Sequence, residues 1–577
     1  MRTVITHRKS KSKIDWSVIG RAPPIPFTDQ APPAMRAAER ALHFLAAAGT
    51  RYVFGIPGGS INPFYDALHE VPALTQIISR HEAAAAYTAA SYAKHSGSIG
   101  VVLGISGPGA SNLLTGCASA MRERTPLLVL TGQVRTNRMG HEAAQEASPW
   151  TLDMVEAFKP FTKKSLLVTH GHGLTRAVRH AMRLALAPPQ GPVHLAIPLD
   201  VQMADAGAPA ALLELGALPE RPGLTREQVT MLLDFVRVER GVIFCGSGVK
   251  KARAARAFCD LAARIGWPVV TSPAGKGTCP EIAPLGVGVY GMSGPASARQ
   301  AVSRAERVLV LGSSLGELAT GNWRAELFEG KRVVQIDSDP AVIGRHYQPQ
   351  VGVVADLGEV VRQLLEVLPP APAPLPAVAA VPPQAGDGAV ARHLRALAAA
   401  LPPDARLCCD IGEHMTWALR HWRSAGPDSF DITINYGGMG SGIANAVGAW
   451  LADPRPTVCL TGDGCFAMHG AEVMTAVQYR LPILFVVVNN GGYGMVRWGH
   501  RLQFNRALAD FDCPVPDVAK IAEGMGARAL RIVDPGEWDA EWIARGFAGS
   551  VPTVVEVMVP PDDVPPMQDR LDTLRGA

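Results

Sequence analysis

Short apolar runs recur along the chain and are separated by segments with helical spacing. The clearest runs are PLLVLTG (126–132), PVHLAIPLD (192–200), GVIFCGSG (241–248), PVVTSPAG (268–275), RVLVLGSS (307–314), RVVQID (332–337) and PILFVVV (482–488). Runs of this length without polar alternation suit strands that are buried on both faces of a parallel sheet. Strands that alternate with helices predict βαβ units, so the predicted fold class is α/β with doubly wound parallel sheets.

Two breaks in this pattern divide the 577 residues into three domains. The stretch 368–388 is rich in Pro and Ala, which predicts an extended linker, and the periodicity also fades near 204–225. We therefore predict a flexible arm, a first domain, a central domain, the linker and a third domain, over residues 1–34, 35–205, 220–367, 368–388 and 389–565.

The first and third domains share a pattern that predicts an internal duplication. Segments 99–134 and 456–490 present a strand, a glycine turn, a helix and a second strand in the same order. Under this alignment, Gln133 in one copy takes the position of Asn489 in the other. The alternative is two unrelated doubly wound domains that share only generic turn residues.

Composition excludes several classes of function. The formal net charge is +4, and five basic residues near the N-terminus exceed this value, so the rest of the chain is nearly neutral. A surface for nucleic acid needs clustered Lys and Arg and is not expected. The nine cysteines show no CxxC motif, which favours reduced thiols in the cytoplasm over a zinc site. No apolar run is long enough for a secretory signal or a membrane span.

Two polar residues follow neighbouring predicted strands of the third domain. Asp463 lies in a GDG turn, and Asn490 follows the next apolar run. The carboxyl ends of parallel strands meet at one edge of a sheet, so both side-chain oxygens can reach one ion there. Carboxylate and amide oxygens suit Mg²⁺, which shares its other positions with phosphate oxygens. The pair predicts a metal-bridged diphosphate, although a lone Asp-Gly turn ends many strands.

A GDG turn followed downstream by NN resembles the signature of the thiamine-diphosphate-dependent enzymes. Over residues 35–560 the chain resembles the large subunits of acetolactate (acetohydroxyacid) synthases and their relatives. The motifs that carry this resemblance are FGIPGGSINPFYDAL (54–68), RHEAAAAYTAASYA (80–93), SGPGASNLLTG (106–116), TGQV (131–134), GPVHLAIPLDVQ (191–202), GDGCFAM (462–468) and NNGGYGMVR (489–497). The resemblance implies that the first domain binds the pyrimidine ring, that the second is a central α/β domain, and that the third binds the diphosphate.

The resemblance also assigns residues of the third domain. Asp463 and Asn490 are implied metal ligands, and Gly492 contributes its backbone carbonyl. Met439 matches the bulky residue that holds the cofactor bent. The implied cofactor-binding residues are Gly412, Glu413, Met439, Gly462, Gly464, Cys465 and Tyr493.

In the first domain the resemblance implies three catalytic residues. Glu82 matches a glutamate that hydrogen-bonds the aminopyrimidine ring, so that the cofactor's own imine takes up the proton; on its own, an acid at this position is usually just a favourable partner of the helix dipole. Gln133 matches an amide that faces the reacting centre. His141 replaces a small polar residue and is a candidate proton carrier, although a surface histidine is the commoner explanation. Related enzymes build the site from two subunits, which implies a homodimer or homotetramer.

Three departures from the family leave the acceptor open. Ala144 replaces a phenylalanine, Ser293 replaces a histidine, and Leu318 replaces an arginine that would receive the carboxylate of a second 2-oxo acid. The segments that bind FAD in these synthases are only partly kept, so the sequence leaves FAD open.

The predicted function is decarboxylation of a 2-oxo acid, pyruvate, with thiamine diphosphate and Mg²⁺, followed by transfer of the two-carbon unit to a second carbonyl compound. A simple 2-oxo acid decarboxylase or a 2-hydroxyacyl lyase is the alternative among enzymes. A non-catalytic cofactor-binding scaffold is the alternative outside them. The partners are therefore small molecules, without nucleic acid or membrane, and the sequence leaves a regulatory subunit undetermined.

Overall fold

The computed structural model describes most of the chain, namely residues 35–206, 214–218, 220–370, 388–512, 514, 516–568 and 571. The predicted arm over 1–34 lies outside these residues, as does most of the predicted linker. The described residues form three six-stranded sheets, and all strand pairs within them are parallel. The prediction of an α/β fold with three parallel-sheet domains is confirmed.

The first sheet has the strand order β2-β1-β3-β4-β6-β5. Its strands are β1 (Tyr52–Gly55), β2 (Thr75–Ile78), β3 (Gly100–Gly104), β4 (Leu127–Gln133), β5 (Lys164–Leu167) and β6 (Pro192–Pro198). The helices around it are α1 (Ala37–Ala47), α2 (Asn62–Ala67), α3 (Glu82–Ser96), α4 (Pro108–Arg122), α5 (Met154–Phe158), α6 (Gly171–Leu186) and α7 (Leu199–Met203). Strands β3, β4 and β6 are buried along their whole length, which explains their continuous apolar runs.

The central sheet has the order β12-β11-β10-β7-β8-β9. Its strands are β7 (Gly241–Cys245), β8 (Val269–Thr271), β9 (Gly286–Val289), β10 (Arg307–Leu311), β11 (Arg332–Asp337) and β12 (Val351–Val354). Its helices are α8 (Arg226–Val236), α9 (Gly248–Lys251), α10 (Ala255–Ile265), α11 (Ala296–Arg304), α12 (Glu317–Thr320) and α13 (Leu357–Val367). Numbered within the domain and read from the other edge, this is the 3-2-1-4-5-6 order of dinucleotide-binding folds.

The third sheet has the order β14-β13-β15-β16-β18-β17. Its strands are β13 (Arg406–Cys409), β14 (Phe430–Ile432), β15 (Thr457–Gly462), β16 (Leu484–Asn489), β17 (Arg528–Ile532) and β18 (Thr553–Met558). Its helices are α14 (Ala389–Ala400), α15 (Glu413–His421), α16 (Ser441–Ala452), α17 (Asp463–His469), α18 (Val473–Gln478), α19 (Gly494–Phe504), α20 (Val518–Gly524) and α21 (Ala540–Phe547).

The first and third sheets have the same strand order, position for position, as the predicted duplication requires. Gln133 ends β4, and Asn489 ends β16, the strand in the equivalent position. Helix α3 of the first domain packs along α16 of the third domain, and buried residues of both domains share one apolar cluster. The two related domains are therefore joined through one core.

Local sequence explains where α3 begins and ends. The ring nitrogen Nδ1 of His81 accepts a hydrogen bond from the Ala83 amide at 3.1 Å and caps the helix. Glu82 then occupies the first turn, and Gly97 ends the helix with a φ of 73°. These signals place the Glu82 carboxyl at the N-terminal end of a long buried helix.

Two further features concern the membrane and the cysteines. No helix among the described residues is long and apolar enough to cross a membrane. The eight cysteines that the structure describes are all free thiols, and seven of them are buried.

Candidate active site

A cavity of about 110 Å³ opens at the carboxyl edge of the third sheet. It lies beyond the ends of β13, β15 and β16, which are neighbours in the sheet. Helices α15 and α17 begin at its wall, so their unpaired N–H groups face the cavity region. All third-domain site residues predicted from the sequence line it: Gly412, Glu413, Met439, Gly462, Asp463, Gly464, Cys465, Asn490, Gly492 and Tyr493.

The Asp463 carboxylate is held in place by backbone amides. Its Oδ1 accepts a hydrogen bond from the Gly464 amide at 2.8 Å, and its Oδ2 accepts one from the Gly492 amide at 3.0 Å. Burial raises the pKa of this carboxyl, while the amide donors oppose that rise. The second contact ties the turn after β15 to the turn after β16, which brings the two predicted metal-binding segments together.

Asn490 is fixed by a neighbour that the sequence did not predict for it. Its Nδ2 donates to Oε2 of Glu413 at 2.9 Å, which leaves the side-chain carbonyl oxygen as the group that can bind a cation. Burial raises the pKa of Glu413 to about 7, and Trp417 Nε1 donates to its other oxygen at 3.4 Å. Glu413 therefore positions Asn490 as well as lining the cavity.

Met439 and Tyr493 stand on either side of Gly464. A Cβ added at Gly464 would lie 3.0 Å from the Tyr493 ring and 3.4 Å from the Met439 methyl group. Cys465 is buried, and its Sγ donates to the Ile411 carbonyl at 3.0 Å, so this thiol braces the neighbouring turn. Two bulky side chains thus flank a position where only glycine leaves space.

His414 is a site residue that the sequence reasoning missed. It lines the cavity, is buried, and its Nε2 has no hydrogen-bond partner among the described residues. Burial lowers its pKa to about 4, so the imidazole is neutral near pH 7. The sequence feature that could have revealed His414 is its position directly after Glu413 at the start of a helix, from which a side chain reaches the strand ends.

The residues of this cavity fit a metal-bound diphosphate. Asp463 and Asn490 offer hard oxygen ligands, and two helix N-termini offer N–H groups. Within the described ranges there is no group of three His, Cys, Asp or Glu side chains arranged to hold a metal alone. A cation here would need ligands beyond the side chains, as the sequence reasoning assumed.

Glu82 lies apart from this cavity. It is a buried residue at the start of α3, its Oε2 accepts a hydrogen bond from Asn112 Nδ2 at 2.9 Å, and a Cβ at Gly109 would lie 3.2 Å from its Oε1. The cavity is lined by residues from Ile411 to Val496, and none comes from the first domain. One chain therefore does not bring Glu82 to the cavity that contains Asp463.

Gln133 is buried and anchors the segment that follows it. Its side-chain oxygen accepts hydrogen bonds from Ser106 Oγ at 3.1 Å, the Val134 amide at 2.8 Å and the Ala147 amide at 3.2 Å. The side-chain nitrogen of the amide is thus the group that remains to donate.

His141 is exposed on the segment that follows β4. Glu146 shapes this segment, because its carboxylate accepts from the Gly140 amide at 2.7 Å and the Ala143 amide at 3.2 Å. Ala144 is exposed in the same segment. The structure therefore places His141 and Ala144 on one loop that the Glu146 carboxylate holds in shape.

Ser293 and Leu318, the two central-domain residues that differ from the family pattern, belong to segments that lie close together in the structure. The Met292 amide donates to the Leu318 carbonyl at 3.0 Å. Ser293 is buried with a φ of 58°, and its hydroxyl has no hydrogen-bond partner in the part of the chain that the structure describes. Leu318 itself is partly buried against the apolar core of the third domain. It presents an apolar side chain at the junction of these two domains.

A second cavity of about 280 Å³ lies at the switch point of the central sheet. This is the domain in which the sequence left FAD binding open. Ser247, Gly248 and Asp337 line it. Arg124 from the first domain pairs with Asp339 at 2.7 Å and lies 3.6 Å from Asp337. This cavity has the place of a nucleotide site, but an arginine already engages its acidic residues.

The sequence and the fold match known proteins over most of the chain. Residues 35–154, 233–364 and 410–557 match the N-terminal TPP binding domain, the central domain and the C-terminal TPP binding domain of thiamine pyrophosphate enzymes, respectively. The acetolactate synthase large subunit of Parasynechococcus marenigrum is 32% identical over 557 residues, covering 92% of this chain and 88% of the relative.

Two further matches agree with these. The acetolactate synthase isozyme 3 large subunit of Escherichia coli is 30% identical over 534 residues, covering 87% of this chain and 91% of the relative. The structure of a thiamine diphosphate-dependent 4-hydroxybenzoylformate decarboxylase from Rhodococcus jostii RHA1 superposes with a TM-score of 0.81. It covers 92% of this chain and 100% of its own, at 24% identity, and so shows the shared fold alone.

Proposed function

Because the chain belongs to the thiamine pyrophosphate enzyme family and resembles acetolactate synthase large subunits within it, we propose that it decarboxylates a 2-oxo acid and transfers the remaining two-carbon unit to a second carbonyl compound. Pyruvate is the proposed donor. The cofactors are thiamine diphosphate (thiamine pyrophosphate) and Mg²⁺. The observation that carries the proposal is the single cavity that gathers Asp463, Asn490 and two helix N-termini.

When bound, thiamine diphosphate supplies the carbanion chemistry that no amino-acid side chain can supply. The chain's own part begins with binding. Asp463, the Asn490 side-chain oxygen and the Gly492 carbonyl would hold the Mg²⁺, which in turn neutralises phosphate oxygens. The N-termini of α15 and α17 would receive the remaining phosphate oxygens.

Two cavity residues, Met439 and Tyr493, are proposed to set the conformation of the bound cofactor. Met439 and Tyr493 both lie against Gly464, where an added Cβ would contact each of them. A bulky Met439 at this place would hold the two rings of the cofactor close to each other, as the resemblance implies. The glycine then allows the cofactor to approach the backbone of the turn.

Glu82 is the proposed proton-handling residue, and it acts from a second copy of the chain. Within one chain it does not line the cavity, so a complete site needs the first domain of a partner. Asn112 holds one oxygen of Glu82, which leaves the other to hydrogen-bond the cofactor's pyrimidine ring. The first and third domains also expose large apolar side chains that a partner can cover: Trp150, Leu152, Met468, Tyr493 and Val496. We therefore propose a homodimer or homotetramer.

The acceptor side of the proposal rests on Gln133, His141 and Leu318. The side-chain nitrogen of Gln133 would stabilise an oxyanion that develops on the substrate. His141 is exposed on the fixed loop and would carry protons to or from solvent. Leu318 offers no charge to a second carboxylate, which favours an aldehyde, a ketone or another neutral acceptor.

Product analysis tests the proposal. Purified protein is supplied with thiamine diphosphate, Mg²⁺ and ¹³C-labelled pyruvate, alone and with added aldehydes or ketones, and the products are identified by mass spectrometry. A labelled ligation product is expected. Acetaldehyde as the product under all conditions would identify a simple decarboxylase, and no cofactor-dependent conversion of any 2-oxo acid would overturn the proposal. A visible absorption spectrum of the same protein shows whether FAD is bound.

A further inference from the structure

Outside the candidate active site, a second feature of interest is a cavity where all three domains meet. It measures about 620 Å³. Its walls come from the start of β1 and the end of α3 in the first domain, from α9 and α10 in the central domain, and from the start of β13 and the end of α16 in the third. None of the predicted active-site residues lines it.

Cationic side chains dominate the walls of this junction cavity. Each domain contributes at least two of them, and together they are Arg51, Lys94, Lys250, Arg253, Arg256, Arg406 and Arg455. The carboxylates on or next to the walls are Asp428, Asp453 and Asp431. Seven cations therefore face three carboxylates, and the C-terminal ends of α3 and α16 offset only about one further charge. The cavity is strongly positive in a chain whose formal net charge is only +4.

Part of this charge is buried. Arg406 is 2% exposed; it donates to the Ala449 carbonyl and to Asp453, but its Nε has no partner among the described residues. Lys250 is 6% exposed and donates to two backbone carbonyls, those of Lys276 and Phe430. Burial first, and then the charge of Lys94, lower the pKa of Lys250 to about 8. A buried cation without a carboxylate partner, as Lys250 is, is costly, and a bound anion would offset that cost.

Other cations of the cavity are already neutralised or already bonded. Lys94 pairs with Asp431, and Arg253 donates to the Ser96 carbonyl. Arg51 and Arg256 differ from these, because their side chains are exposed and make no hydrogen bond or ion pair with any residue that the structure describes. They are therefore free to close on a ligand.

We propose that this three-domain junction is a binding site for a small polyanion that carries phosphoryl or carboxylate groups. Arginine side chains recognise both groups through paired N–H donors, and a cavity of this size accommodates a molecule with more than one anionic group. Such a ligand would join the three domains at one point.

The position of the site suggests a consequence for activity. Helix α3 ends in this cavity and begins at Glu82, about 22 Å away along its axis. Helix α16 also ends here and begins directly after Met439 and Gly440. An anion that holds the C-terminal ends of both helices would therefore restrict the elements that carry two proposed active-site residues. This coupling, unlike the binding itself, rests on the proposed function.

The test uses the enzyme saturated with thiamine diphosphate and Mg²⁺, so that the proposed diphosphate site is filled. Its melting temperature is measured with inorganic phosphate, with tricarballylate, and with chloride at equal ionic strength. The test variant is Arg51→Gln/Arg256→Gln. The matched control is Arg176→Gln/Arg304→Gln, because these arginines are also exposed and lie outside the cavity.

Phosphate or tricarballylate is expected to raise the melting temperature of wild type and control beyond the effect of chloride. In the test variant the anion concentration for half of this rise should increase about tenfold or more, since two charge-assisted contacts are lost. A response to phosphate alone assigns a phosphoryl ligand, and a response to tricarballylate alone assigns a carboxylate ligand. Equal responses in all three proteins, or none beyond chloride in wild type, overturn the proposal.

Two further readouts separate binding from folding and from activity. Without anions, the test variant should melt no lower than wild type, because it relieves repulsion between like charges. A lower melting temperature would show that Arg51 and Arg256 stabilise the junction by themselves, which overturns the proposal. Phosphate should also change kcat or KM in wild type but not in the test variant. Unchanged kinetics despite anion binding would refute the coupling and leave the binding site standing.

Discussion

The proposed metal site depends on a contact that a single methyl group would break. A Cβ added at Gly494 would lie 1.9 Å from Oε2 of Glu413 and 2.3 Å from Nδ2 of Asn490. These two atoms form the 2.9 Å hydrogen bond that fixes Asn490. Gly494→Ala should therefore separate them without replacing any proposed metal ligand.

The size of the effect follows from this geometry. An ordinary carbon–oxygen contact needs about 3.4 Å, so both side-chain ends must move by more than about 1 Å. Glu413 is 8% exposed and cannot swing into solvent without opening the cavity wall. Loss of a hydrogen bond to a charged group costs about 1.5–3 kcal/mol. If this cost falls on cofactor binding, the affinity for thiamine diphosphate drops about 10- to 100-fold.

Calorimetric titration of thiamine diphosphate in the presence of Mg²⁺ measures this change. Gly499→Ala is the matched control, because it lies in the same helix α19 and its added Cβ would come no closer than 4.0 Å to Met567. The control should bind the cofactor like wild type and gain up to about 1 kcal/mol of stability from the lost backbone freedom of glycine. A thermal melt of both cofactor-free variants checks that they are folded.

A Gly494→Ala variant that binds thiamine diphosphate as tightly as wild type would refute the reasoning. It would mean either that Glu413 and Asn490 do not form part of the cofactor site, or that their contact does not hold the site in shape. Weaker binding in both variants would equally contradict it, since Gly499 has room for the methyl group.

Three further changes test other parts of the proposal. Glu82→Gln should keep cofactor binding in calorimetry and lose at least about 100-fold in turnover; loss of both together would contradict its proton role. Co-expressed Glu82→Gln and Asp463→Ala chains should recover about a quarter of wild-type turnover, since half of randomly assorted dimers keep one intact site, and no recovery would argue against a site between chains. Asp431→Asn should lower the free energy of unfolding in urea by about 3–5 kcal/mol, because it leaves Lys94 without its buried partner; a loss below about 1 kcal/mol would contradict this. Burial opposes ionisation of Asp431, but Lys94 and His95 hold its pKa well below the ordinary value, so wild-type stability should fall as the pH drops below about 4.

The fold could be predicted because its strands are nearly pure apolar runs. The run 482–488 contains β16 except for its last residue, and the run 241–248 contains β7, since burial on both faces leaves no room for polar alternation. Strand β2 was not among the predicted runs. Its two exposed residues, Thr75 and Gln76, and its edge position give it no such signal.

The candidate site could be predicted only in part. Asp463 and Asn490 were found because each follows a strand, and strand ends converge in a parallel sheet. The pairing of Asn490 with Glu413 joins residues 77 positions apart, and no local spacing reports such a contact. The junction cavity was hidden for the same reason, since its arginines come from three domains and look like scattered surface charges in the sequence.

The duplication itself explains why both related domains are needed for one site. In the alignment that pairs Gln133 with Asn489, the first domain has Gly107 and Val134 where the third has Asp463 and Asn490. The first copy thus lacks both side-chain metal ligands, although its sheet has the same strand order. Its strand end offers the amide of Gln133 instead. In the proposed function, the third domain therefore holds the diphosphate, and the first domain presents Glu82 and Gln133 to the uncharged end of the cofactor. Since Glu82 does not line the cavity of its own chain, the proposed function assigns these two roles to different chains.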